Sequence, residues 1–299
     1  MKNIINFLVI AIGLFGLSAI AETAGWFVEN PPQPDFAQVE KQLPMTPEFR
    51  NYISFDYLKT LNQEQLDQLY ARLKSGPIPQ GDFEGIVISR NPAILDMEKM
   101  ADDKLKGQPG IGAKLARWLI GLKCGKKDRL DCLGEFLWSG KRFKAPQPQT
   151  EVVELRNAIN PMISWKWLGK RVGLESISEA LKSHNIKKEN FYGKQRMMIF
   201  PANVYCGLSL IDVRRESIII DYAYGDDFKD YVPEVDGLVG RNGLWIRDEI
   251  RMIRPGLYLG KAYVDKIFLL NFALHNPSLD KKYVASEDRK NCWSGDSWQ

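Results

Sequence analysis

From about residue 81 onward the chain is written in short runs of β-compatible residues, each cut off by a turn signal. This limits the fold more than any other feature. The runs fall at 82–88, 133–143, 151–158, 162–168, 195–205, 217–223, 244–253, 257–264 and 267–274. Arg254-Pro255-Gly256 between the seventh and eighth predicts a β-hairpin. Only 176–184 among the later segments carries a helical pattern. Many short strands with tight turns and few intervening helices predict an antiparallel sheet that closes on itself. Closure also removes the exposed edges that so many strands would create. The expected class is mainly β: an antiparallel up-and-down β-barrel with an N-terminal helix and an irregular arm.

An aromatic residue, any residue, Gly and Lys recur in that order at Trp138–Lys141, Trp167–Lys170, Phe191–Lys194 and Tyr258–Lys261. The intervals are unequal, which argues against a solenoid. Glycine lets a strand bend sharply and a nearby aromatic covers the bare backbone. Simple alternation puts the aromatic and the Gly on one face and the Lys on the other.

The N-terminus follows the grammar of a secretory signal. Lys2 supplies positive charge, Phe7 to Phe15 are apolar, and Ala19-Ile20-Ala21 places small residues where a signal peptidase reads. The apolar stretch is short for a membrane span. Cleavage near Ala21 would leave a periplasmic or secreted protein. Residues 22–60 are Pro-rich and read as an extended arm. Residues 61–275 read as a helix plus barrel, and 276–299 as a tail. The helix opens at Thr60-Leu61-Asn62-Gln63, which reads as a capping box with Thr60 as N-cap. Residues 112–122 form a basic amphipathic pattern that either packs on the body or makes peripheral membrane contact. With 41 basic and 37 acidic residues the charge is too balanced for a nucleic-acid footprint.

The four cysteines are Cys124, Cys132, Cys206 and Cys292. In an exported chain an even number invites pairing. Cys124 and Cys132 flank a short polar loop, which favours a local bridge. Cys206 and Cys292 either pair, tying the tail to the body, or stay free. The spacing matches no zinc pattern, and nothing in the sequence signals a cofactor.

Two stretches carry a resemblance. They are Trp138-Ser139-Gly140-Lys141-Arg142-Phe143 and Ile246-Arg247-Asp248-Glu249-Ile250-Arg251 with the following Pro255-Gly256-Leu257-Tyr258-Leu259-Gly260. With Ser217–Tyr222 between them, the chain resembles an uncharacterised family of bacterial proteins, some exported, over roughly residues 61–274. The resemblance implies no activity and no catalytic residue. The strand-rich plan also resembles the calycin group of ligand-binding barrels, to which lipocalins belong. That likeness is architectural, and fold does not give function.

No established catalytic motif is present. Alternation along 246–253 puts Arg247, Glu249 and Arg251 on one face and Asp248 on the other with Ile246, Ile250 and Met252. The charged face either lies outside the sheet or forms an inward cluster that orients a carboxylate or phosphate head-group. Asp221, after Ile218-Ile219-Ile220, reads as at or near the interior. There it either accepts hydrogen bonds or acts as an acid or base. The leading expectation is a barrel that binds a small lipophilic molecule, with or without an acidic head, lined by Trp138, Asp221, Arg247, Glu249, Arg251 and Tyr258. Two alternatives stand beside it. One is an isomerase or hydrolase with Asp221 or Glu249 as acid–base and Tyr222 or Tyr258 as partner. The other is an interaction protein of the cell envelope.

Overall fold

The computed structural model describes residues 41–90, 138–145, 153–161, 183–184, 186, 188–211, 216–282 and 292. The signal segment, most of the arm, the 112–122 pattern, Cys124, Cys132, the 162–168 run and Trp167–Lys170 lie outside the described residues. Contacts divide the chain into Met1–Asp35 and Phe36–Gln299, and the second unit is the one described.

Nine strands follow in chain order: β1 Gly81–Arg90, β2 Trp138–Phe143, β3 Val153–Ile159, β4 Lys188–Phe191, β5 Lys194–Leu208, β6 Glu216–Asp221, β7 Ile246–Arg254, β8 Leu257–Val264 and β9 Ile267–His275. All the pairings are antiparallel. Eight strands close a ring in the order β3-β2-β1-β9-β8-β7-β6-β5, with β5 returning to β3, and β4 hangs on β5 as an extra strand. The protein is therefore an antiparallel up-and-down barrel. β2 and β7 lie four places apart on the ring of eight, on opposite walls.

Inward side chains interdigitate as one core that includes Phe83, Phe143, Leu155, Val204, Ile218, Ile250, Met252, Tyr258 and Phe272. On the other side of the wall, three short helices cover β7, β8 and β9: α1 Pro47–Tyr52, α2 Phe55–Thr60 and α3 Gln63–Ala71. Leu58, Leu66, Leu69 and Leu73 pack there against Ile253, Leu257, Leu259 and Ala273. This wall is dry on both faces, which is why every residue of β8 is buried.

Residues 47–60 are helical where an extended arm was expected. Thr46 caps α1 by accepting from Phe49 N, with Pro47 at its first position, and Ser54 caps α2 in the same way through Tyr57 N. The cap of α3 is Asn62, paired with Gln65 in a capping box, and not Thr60 with Gln63. Thr60 instead ends α2, its hydroxyl donating to Tyr57 O at 2.7 Å. Both pairs have the same spacing, and the extended backbone at Leu61 decides between them.

The aromatic-glycine motif does two different jobs. In β8 the Phe272 ring lies where a Cβ on Gly260 would sit, and in β1 the Trp138 ring does the same at Gly85. Phe191–Lys194 is instead the β4–β5 hairpin turn, with Tyr192 and Gly193 both at positive φ. Cys206 and Cys292 are bonded to each other, with Cα atoms 5.1 Å apart, and Cys292 packs against the barrel core.

Gly140 separates two kinds of glycine cost. Its φ is +141° and a Cβ there would lie 2.0 Å from Phe83 O, whereas Gly193, at φ +73°, faces open space. We expect Gly140→Ala to cost about 3 kcal/mol or more, through overpacking plus strain. Gly193→Ala should cost about 1 kcal/mol from backbone strain alone. Urea unfolding of the two variants measures the difference, and equal costs would contradict the placement of Gly140.

Candidate functional site

Two polar clusters lie on opposite sides of the β7 wall. The inner one is built around Lys141. A β-bulge between Trp138 and Gly140 inserts one residue, so Lys141 turns inward on the same side as Trp138, where plain alternation had sent it outward. Its ammonium donates to Asp248 Oδ2 at 2.9 Å, to Asn157 Oδ1 at 3.0 Å and to the Tyr222 hydroxyl. All three ammonium protons are thereby used. Tyr222 donates to Asp248 Oδ2 at 3.2 Å and accepts from Asn157 Nδ2 at 3.0 Å. Trp138 Nε1 donates to Asn157 Oδ1 at 3.0 Å. The rings of Trp138, Tyr222 and Phe272 surround the ammonium at 5.2–5.4 Å, within cation–π range. Burial pushes the Lys141 pKa down, opposed by Asp248, and pushes the Tyr222 hydroxyl well up. The network is closed on itself and leaves no donor for a ligand among its described members.

Lys141 and Asp248 are 3 % and 5 % exposed at their side chains. Removing one partner of such a pair leaves a buried charge and costs about 3–5 kcal/mol. Lys141→Met should therefore destabilise the barrel by that order. Adding Asp248→Leu should restore most of the loss in a double-mutant cycle. An additive double variant would show that the two groups do not act as a pair.

The outer cluster is different. Arg247, Glu249 and Arg251 project outward from β7, opposite Asp248, and Asp221 shares their side. Much of this set is engaged internally. Asp221 accepts from Tyr205 OH at 2.8 Å and from Ala223 N at 2.9 Å, capping the 3-10 helix Tyr222–Asp227. Glu249 accepts from Ser209 Oγ at 2.7 Å and Leu210 N at 2.6 Å, with Arg247 at 3.4 Å. Tyr258, an inward residue, donates to Pro77 O at 2.8 Å. Tyr222, expected as a partner of Asp221 or Glu249, belongs to the inner network. The structure thus places Trp138, Tyr222 and Tyr258 inside and Asp221, Arg247, Glu249 and Arg251 outside, and does not bring the two sets together.

Arg251 is the member that leads to a site. Beside it, between α3 and the outer face of the wall, lies a cleft of about 340 Å³. Tyr70, Ala71, Ile211 and Phe268 give it apolar walls, and Arg251, Lys261 and Tyr263 add polar groups. Arg251 donates to Ser217 Oγ at 3.0 Å and Tyr70 O at 3.2 Å, and its guanidinium stacks 4.6 Å from the Tyr70 ring centre. Its second terminal nitrogen, NH2, has no acceptor, and neither does the Tyr263 hydroxyl. Arg251 is 1 % and Tyr263 4 % exposed. Buried donors without acceptors are uncommon and costly. Burial and the nearby Glu249 carboxylate push the Tyr263 pKa far up, so the hydroxyl stays a donor. Lys261 donates to Asn271 Oδ1 at 2.9 Å and to Asp67, and lies over the rings of Phe268 and Tyr70. Burial lowers its pKa and Asp67 opposes this.

Lys261 and Tyr263 escape a sequence reading because nothing in β8 marks its outer face as covered. The covering helix lies almost two hundred residues away, with 194 positions between Asp67 and Lys261. Among the described residues, Cys206, Glu216 and Cys292 are the group whose donor atoms gather closely enough for a metal, and the two sulfurs are bonded to each other. His275 is held by Asp280 at 2.9 Å, and Arg254 clamps the same carboxylate.

Comparison with protein-family models, with curated proteins and with solved structures finds no match. Function therefore rests on the geometry. Since the Tyr263 hydroxyl makes no hydrogen bond, Tyr263→Phe should leave stability unchanged or raise it by about 1 kcal/mol. A loss of more than that in thermal unfolding would reveal a partner for the hydroxyl in the ligand-free protein.

Proposed function

We propose that this chain is an exported β-barrel protein that binds a small lipophilic acid in the cleft between α3 and the β7–β9 wall. The observation that carries the reading is that Arg251 and Tyr263, each with a buried donor that has no partner, line a cleft with aromatic and aliphatic walls. Such a cleft sits at the small end of ligand pockets. Apolar walls favour a hydrocarbon body, while Arg251, Lys261 and a phenol, set against the single Asp67 carboxylate, favour an anionic head. Export is supported by the N-terminal signal pattern and by the Cys206–Cys292 bridge, which suits an oxidising compartment. The barrel itself serves as a rigid wall that fixes Arg251, Lys261 and Tyr263.

Titration calorimetry on the delipidated protein tests this with decanoate and decanol as matched probes. Decanoate should bind at micromolar levels and decanol at least about tenfold more weakly, the worth of one charge-assisted hydrogen bond. Tyr263→Phe should weaken decanoate several-fold and leave decanol unchanged. Equal affinities for acid and alcohol, or no binding of either, would contradict the proposal.

A further inference from the structure

The cleft already holds one carboxylate, and it belongs to the protein. Asp67 projects from α3 and accepts from the Lys261 ammonium. Lys261 is 2 % exposed at its side chain, while Asp67 is 50 % exposed. The cation is fixed: its stem is buried in β8, Asn271 holds it from the neighbouring strand, and the Phe268 and Tyr70 rings flank it. Asn271 is itself locked, donating to Gln63 Oε1 at 2.7 Å and to Ser89 Oγ at 2.8 Å. Asp67 is the one exposed side chain among the residues lining the cleft. Besides Lys261, its carboxylate is held by Gln63 Nε2 at 2.9 Å, one helical turn away. A short side chain at a helix surface can rotate into water at little cost, whereas the buried ammonium cannot follow it.

We infer that Asp67 is a built-in competitor for the ligand's acid group: an incoming carboxylate replaces it on Lys261, and Asp67 swings out into solvent. This deepens the reading of the cleft as a site for a lipophilic acid and rests on it. Lys261 keeps a counter-ion in the ligand-free protein, so the cost of a bare buried cation is avoided. Arg251 NH2 and Tyr263 OH have no such stand-in. Both are screened from bulk water, and both residues line the same cleft as Asp67 and Lys261. The exchange also sets specificity. A neutral ligand cannot repay the broken Asp67–Lys261 pair, so the pair holds the cleft against uncharged lipophiles.

The test compares decanoate and decanol binding by calorimetry near neutral pH in the wild-type chain, in Asp67→Asn and in Asp67→Ser. The inference expects both variants to bind decanoate at least tenfold more tightly than wild type, with decanol affinity moving less than threefold. Unchanged or weaker decanoate binding in both variants, while wild type binds it, would overturn the competitor role and leave the ligand site standing. A parallel gain for acid and alcohol would make Asp67 a steric plug and would also overturn it. If neither the wild type nor either folded variant binds decanoate, the ligand reading fails together with the inference. Both variants take the counter-ion from Lys261, so each is first checked for folding by circular dichroism; Asn keeps an amide oxygen that can accept from the ammonium, and Asn271 still holds it.

Discussion

The ion pair between Lys141 and Asp248 spans the barrel from one wall to the opposite one, and the rest of the structure is arranged around it. β2 carries the cation and β7 the carboxylate, four strands away around the ring. Asn157 of β3 and Tyr222, at the end of β6, close the network. A charge in the middle of a barrel is tolerated only when every proton and lone pair is matched, and here all three ammonium protons are. Such a network defines which residues of β2, β3 and β7 face inward, because a one-residue slip would carry Lys141 or Asp248 through the wall.

Once Asp248 is held inside, the outward set of β7 follows. Glu249 and Arg251 must face away from the barrel, and they are buried because α3 and the 209–211 segment cover them. The inner network is saturated, whereas on the outer side Arg247 Nε, Arg251 NH2 and the Tyr263 hydroxyl have no partner. This asymmetry is the reason for placing ligand binding on the outer side.

The barrel was legible because strands alternate with a period of two and Pro/Gly turns punctuate them. Arg254-Pro255-Gly256 marks the β7–β8 hairpin directly. Four features were not legible, each for a physical reason. Plain alternation puts Lys141 on the wrong face because a bulge adds a residue without altering the hydrophobic pattern, Gly140 at positive φ being its only mark. β4 is four residues long and three of them are exposed, so no alternation announces it. The helices at 47–60 were masked by the density of prolines around them, although Thr46-Pro47-Glu48 carries the ordinary signs of a helix start. Arg251 was read as a candidate for an acidic head-group, but its companions were not, because the cleft depends on contacts between segments nearly two hundred residues apart.

The central claim is a location: a lipophilic acid sits outside the barrel wall beneath α3. Photo-crosslinking with a diazirine-bearing alkyl carboxylate, followed by peptide mapping, reads that location directly. The account predicts adducts on the α3 peptide around Tyr70 or on the β8–β9 peptide around Phe268, suppressed by excess decanoate. Adducts concentrated on Trp138, Phe83 or Phe272 would place the ligand inside the barrel and contradict it.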